Sequence, residues 1–128
     1  MSVVLQLVCR TGKYTICAVG SDVEVFFQGQ RLRVPDETAK LLRLLDYTSN
    51  CGPPRNSEKC RPLADGLFEF KADSLRLIWF WDSGCVILCT HGFVKKRQKT
   101  PRAEIVRAKS IKASYEAAKR SGRVTVEE

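Results

Sequence analysis

Leu67-Phe68-Glu69-Phe70-Lys71-Ala72-Asp73-Ser74-Leu75-Arg76-Leu77-Ile78-Trp79-Phe80-Trp81-Asp82-Ser83-Gly84-Cys85-Val86-Ile87-Leu88-Cys89-Thr90-His91 holds three β-rich runs, Leu67–Lys71, Leu75–Trp81 and Cys85–His91, separated by three-residue breaks. Links this short return a strand directly beside its predecessor, so the stretch predicts three neighbouring antiparallel strands. Side chains alternate along a strand, which puts Arg76, Ile78 and Phe80 on one face and Leu75, Leu77, Trp79 and Trp81 on the other. Glu69 and Lys71 share a face in the preceding strand, and Cys85, Ile87, Cys89 and His91 share one in the next. One side of the sheet would then gather Glu69, Lys71, Arg76 and His91.

Moving outward toward the C-terminus, the chain's single histidine is followed by Lys95, Lys96, Arg97 and Lys99. This reads as a strand ending at a cationic turn. Thr100 and Pro101 then supply an N-cap and a proline at the first helical position, with Glu104 placed to complement the helix dipole. A long helix to about Arg120 follows, its apolar stripe running through Ile105, Ala108, Ile111, Tyr115 and Ala118, with Gly122 as its stop.

Toward the N-terminus, Val3–Cys9, Tyr14–Val19 and Val23–Gln28 read as three strands joined by tight turns. Pro35-Asp36-Glu37 opens an amphipathic helix with Leu41, Leu42, Leu44 and Leu45 on one face. The breakers from Ser49 through Gly52-Pro53-Pro54 to Ser57 predict a surface loop. The expected fold is α+β: a small antiparallel sheet of four or more strands, one helix in the N-terminal half and a long C-terminal helix. Residues 1–128 are expected to form a single domain, β-rich over 1–34 and carrying its motifs over 60–118.

Composition bounds the function. Of 22 Lys and Arg, 11 fall in residues 91–128 against 4 Asp and Glu, whereas residues 1–90 hold 11 against 10. A cationic block of this kind suits a polyanionic partner, nucleic acid or an acidic protein segment, although a solvated basic helix face would read the same way. The six cysteines contain no C-x-x-C pair, so free thiols in a reducing cytoplasm are expected, with no metal and no cofactor. No apolar run approaches a membrane span or an export signal.

The chemistry that Glu69, Arg76, His91, Lys95 and Lys96 suit is metal-independent RNA cleavage. That reaction needs a base for the 2′-oxygen, cations to stabilise the phosphorane, and an acid for the departing 5′-oxygen. Lys71, Arg97, Lys99 and Arg102 are candidate backbone-binding cations. Blander readings stand beside these: Arg76 paired with Glu69 across the strands, His91 as a structural donor, Trp79 and Trp81 as core rather than base-stacking platforms, and the cationic run as a phosphate-tracking surface without catalysis.

The ordered set Gly66-Leu67-Phe68-Glu69-Phe70-Lys71, Arg76-Leu77-Ile78-Trp79-Phe80 and His91-Gly92-Phe93-Val94-Lys95-Lys96, followed by Thr100-Pro101 and Glu104-Ile105, resembles the HigB-like, phage-derived branch of the RelE/ParE toxin superfamily. The resemblance implies a RelE-like toxin of a type II toxin–antitoxin pair. It would act as an endoribonuclease that cuts mRNA on the ribosome and would be neutralised by a HigA-like helix-turn-helix antitoxin. Arg76 falls where the superfamily keeps its strand arginine, and Lys95 and Lys96 where it keeps a basic pair; Glu69 stands where RelE proper has lysine. The N-terminal third departs from the family's usual single strand and helical hairpin. The alternative is a non-catalytic or ParE-like member, a gyrase inhibitor or nucleic-acid-binding remnant.

Overall fold

A computed structural model of the protein describes residues 2–128. In chain order the elements are β1 (Val3–Cys9), β2 (Thr15–Val19), α1 (Asp22–Arg33), α2 (Pro35–Cys51), β3 (Cys60–Pro62), β4 (Leu67–Ala72), β5 (Leu75–Trp81), β6 (Val86–Val94), α3 (Arg102–Arg120) and β7 (Val124–Glu127). The strands form one seven-stranded sheet in the order β3-β4-β5-β6-β2-β1-β7. Strands β3 to β6 and the β1–β2 pair are antiparallel, while β2 lies parallel to β6 and β1 parallel to β7.

Helices cover both faces. On one, Val23 and Phe27 of α1 and Leu41, Leu44 and Leu45 of α2 pack on Leu75, Leu77, Trp79, Ile87 and Cys89. On the other, Ala108, Tyr115 and Ala118 of α3 pack on Leu67, Ile78, Phe80, Leu88 and Phe93. Burial on both sides explains the near-continuous apolar composition of β5, six of whose seven residues are buried.

The small antiparallel sheet expected from the sequence is thus replaced by a larger, mixed one. Its parallel pairs join segments far apart in the chain: Thr15 lies opposite Val86, and Val3 opposite Val124. The expected strand Val23–Gln28 lies within α1. Val23, Val25 and Phe27 mimic strand alternation, but Val23 and Phe27 are also one helical turn apart and bury together. Asp22 and Glu24 in the first turn and Arg31 and Arg33 in the last complement the dipole. The N-terminal half therefore holds two consecutive helices instead of one, with Pro35 beginning the second.

Three boundaries also move. Helix α2 continues through Ser49 and Asn50 to Cys51, where a surface loop was expected. The Ser49 hydroxyl donates to the Tyr14 carbonyl at 2.7 Å and accepts from the Thr11 and Gly12 N–H groups, so tertiary bonds hold this polar turn. Strand β6 runs past His91 to Val94, which leaves the histidine inside the strand rather than at its end. Pro101 occupies the N-cap of α3, and the Thr100 hydroxyl donates to Glu69 instead of capping the helix.

Candidate functional site

The β5–β6 ladder contains a bulge. Ile78 lies opposite His91, and Trp79 opposite Cys89, leaving Thr90 as the extra residue. A bulge re-aims every side chain beyond it. Ile87 and Cys89 face α1 and α2, whereas Phe93 faces α3. His91, opposite Ile78, therefore turns to the α3 face and not to the face of Cys89. Glu69 also lies opposite Ile78, so Glu69, Ile78 and His91 form one row across the sheet; Lys71, Arg76 and Phe93 form the next.

At the β4 end of the first row, Glu69 is wholly buried and both its oxygens are engaged. Arg61 Nε donates to Oε2 at 2.6 Å and the Thr100 hydroxyl donates to Oε1 at 2.7 Å. Arg61 Nη2 also reaches the Thr100 oxygen at 3.3 Å. Strand β3 thereby supplies the partner that the sequence reading sought in Arg76. This clamp ties the segment after β6 to the sheet and fixes where α3 begins.

Arg76 is only 5% exposed. Its Nη1 donates to the carbonyls of Asp73 and Leu75 at 2.7 and 2.8 Å, anchoring the guanidinium to the β4–β5 turn. Arg76 then lines a basin of about 450 Å³ with Asp73, Ser74, Lys95, Lys96, Arg97 and Gln98. Burial holds its pKa below the ordinary arginine value, with the charge of Glu69 opposing and that of Arg61 reinforcing the shift. Lys71 is lowered too, first by burial and then by the charges of Arg76, Arg61 and Lys95, against the pull of Glu69. Burial is the main cause of both shifts; the positive neighbours of Lys71 act second, and the grouping of Arg76 with Lys95, Lys96 and Arg97 around one opening suits an anion that gains charge as it reacts.

His91 sits apart from that cluster. It is 1% exposed, and its Nε2–H donates to Glu104 Oε1 at 2.9 Å. Thr90 Oγ1 lies 3.2 Å from both His91 Nδ1 and the Ile78 carbonyl. In the neutral ring the hydroxyl donates to Nδ1. In the imidazolium, Nδ1–H donates to the hydroxyl, which turns to Ile78. Burial lowers the His91 pKa, while the Glu104 bond raises it and the charge of Arg107 lowers it. The group that meets solvent is Glu104, partly exposed in a cleft of about 870 Å³ lined by Lys96, Arg97, Lys99, Thr100 and Arg102. Lys96 and Arg97 are common to basin and cleft.

The structure thus brings Arg76, Lys95, Lys96 and Arg97 around one opening and Lys99 and Arg102 around the adjoining one, keeps Glu69 beneath the surface, and encloses His91. Lys95, Lys96, Arg97, Lys99 and Arg102 form no ion pair among the described residues. By contrast, Arg107, Lys109 and Lys119 of α3 are tied to Asp22, Asp65 and Asp82. Trp79 is core, stacked between Phe68 and Phe70, and Trp81 is 39% exposed at the strand end. Among the described residues no cluster of three or more His, Cys, Asp or Glu could hold a metal ion, and no helix is long and apolar enough to cross a membrane.

Sequence reasoning missed Arg61, Thr100 and Glu104 as site residues. In the sequence Thr100 and Glu104 read as helix-capping and dipole residues, and the three-residue strand bearing Arg61 follows a proline-containing loop with little pattern of its own. No curated protein matches the chain significantly. The family model described as "Phage derived protein Gp49-like (DUF891)" matches residues 34–113. The match spans α2 through β6 and more than half of α3, and so contains every residue of the basin and cleft. The chain belongs to this Gp49-like family of phage-derived proteins, a RelE/HigB-like family associated with the toxins of toxin–antitoxin systems.

Proposed function

We propose that the protein is the endoribonuclease toxin of a type II pair, of the HigB branch, cutting mRNA at the ribosome without a metal and held in check by a helix-turn-helix antitoxin, with residues 1–128 acting as one domain. The observation that carries this reading is the anchored Arg76 guanidinium at the floor of an open basin ringed by Lys95, Lys96 and Arg97. A scissile phosphate seated there meets fixed cations on the side where the phosphorane builds charge. The 2′-oxygen attacks phosphorus and the bond to the 5′-oxygen breaks, leaving a 2′,3′-cyclic phosphate and a 5′-hydroxyl. One proton must leave the 2′-oxygen and one must reach the 5′-oxygen. Glu104, backed by the His91 ring and partly exposed in the adjoining cleft, accepts the first; a lysine ammonium of the basin, Lys95 or Lys96, donates the second. Glu69, with both oxygens occupied, positions Arg61 and Thr100. Lys71, Lys99 and Arg102 contact the RNA backbone.

Inducible expression in a bacterium tests this. Wild type should arrest growth with cleaved transcripts, and Arg76→Ala and Lys96→Ala should each lower cleavage by roughly 10²–10³, the loss typical of one transition-state donor. Arrest with intact transcripts and damaged DNA would favour gyrase inhibition. Cleavage that survives both substitutions would refute the site.

A further inference from the structure

A second depression, of about 780 Å³, lies across the β4–β5 turn from the basin, between α2, the chain from Pro54 to Lys59, and β4. Lys40, Arg43 and Tyr47 recur at helical spacing along one face of α2, and Arg55, Glu58 and Lys59 border the opposite side, where two cations outnumber the one carboxylate. Lys40 is paired with Asp73 at 2.9 Å; Arg43, Arg55 and Lys59 form no ion pair among the described residues. Tyr47 is half exposed, an aromatic ring on the helix face that lines the depression. Asp73 borders both this depression and the basin, and Lys71, opposite Arg76 in the sheet and with its Nζ donating to the Ser57 carbonyl at 3.2 Å, lines the near wall of the depression.

We propose that this depression seats single-stranded RNA that continues from the basin around Asp73 and Lys71, with phosphates on Arg43 and Arg55 and one base stacked on Tyr47. The inference rests on the ribonuclease reading and adds to it an extended binding site. Three unpaired cations around an exposed aromatic ring combine the two elements that sequence-tolerant single-strand binding uses, a positive groove and a stacking platform. An acidic peptide would use the cations and leave the ring without a role, so the observations favour RNA. The extended site would make the protein prefer long single strands to fragments that fill the basin alone.

Binding, not cleavage, tests the proposal. Full-length Arg76→Ala protein is titrated with fluorescent oligouridine of about twelve nucleotides and with the trinucleotide, and anisotropy is read at several salt concentrations. Adding Tyr47→Ala should weaken the long strand by about five- to a hundredfold, the range that stacking of one base supplies, and Tyr47→Phe should restore it. Adding Arg43→Gln with Arg55→Gln should reduce the slope of log affinity against log salt by about 1.4, at 0.7 per lost phosphate contact. The trinucleotide should bind these variants as it binds the Arg76→Ala parent. Long-strand binding indifferent to both changes would overturn the extended site while leaving the ribonuclease reading to its own growth and transcript assay. An oligoglutamate peptide that displaces RNA and depends on Arg43 and Arg55, with no effect at Tyr47, would overturn it in favour of a protein partner.

Discussion

Burial decides which protonation state of His91 the fold prefers. The ring is enclosed and its pKa is lowered from the ordinary 6.5, chiefly by desolvation, despite the nearby Glu104 carboxylate. The unfolded chain therefore binds this proton more readily than the folded one. Stability is fully present above the unfolded pKa and is lost as pH falls from there toward the lower folded value, levelling off beneath it. Denaturant midpoints measured between pH 7.5 and 5.5 should fall on acidification in wild type, and His91→Gln should flatten that dependence; an equal fall in the variant would show that another group is responsible. The histidine's place on the α3 face was legible as a conclusion but not as a derivation. Strict alternation groups His91 with Ile87 and Cys89, which face α1 and α2, and only the unpaired Thr90 brings His91 round to the side of Glu69 and Arg76. Glu104 was visible in the sequence only as a dipole partner, because it lies thirteen positions along the chain from the ring it binds.

At the scale of elements, local pattern succeeded where one period dominates. The stripe of α3 packs through Ala108, Tyr115 and Ala118, and Gly122 adopts the positive φ of 67° that a helix stop favours. It failed at α1, where Val-Glu-Val-Phe-Phe satisfies both periods and tertiary packing chooses. The choice is visible at Gly92 of β6, where the Phe26 ring of α1 lies so close that an added Cβ would fall 2.4 Å from Cδ2 and 2.7 Å from Cγ. Those atoms lie at the root and side of the ring, so they clear the added Cβ only if Phe26 changes its χ1 rotamer or α1 shifts. Gly92→Ala should therefore destabilise the protein by about 1–3 kcal/mol, the usual cost of overpacking. In a Phe26→Ala background, which removes those atoms, Gly92→Ala should cost measurably less in urea unfolding. A stability unchanged by Gly92→Ala would mean that α1 does not rest on β6 as described.

For the whole molecule, the three-strand unit from Leu67 onward was readable because its connections are short, and the mixed sheet was not because β2 and β7 reach partners that no nearby turn announces. Charge shows the same division. The excess of cations beyond residue 90 was plain in the sequence, but not which of them are occupied. Arg107, Lys109 and Lys119 tie α3 to acids carried elsewhere in the chain, whereas Lys96, Arg97 and Lys99 line the openings without a partner among the described residues. These two sets should respond differently to neutralisation. Lys96→Gln, Arg97→Gln and Lys99→Gln together should reduce the salt slope of RNA binding by about 2, as expected for three lost single-strand phosphate contacts. The same triple change should leave folding stability within about 0.5 kcal/mol of wild type, since it breaks no ion pair and opens no cavity. Arg107→Gln, Lys109→Gln and Lys119→Gln together remove the same charge from the surface of α3 and should leave the slope nearly unchanged. Equal slopes for the two sets would mean that RNA senses only net charge, and the basin would lose its claim to position a phosphate.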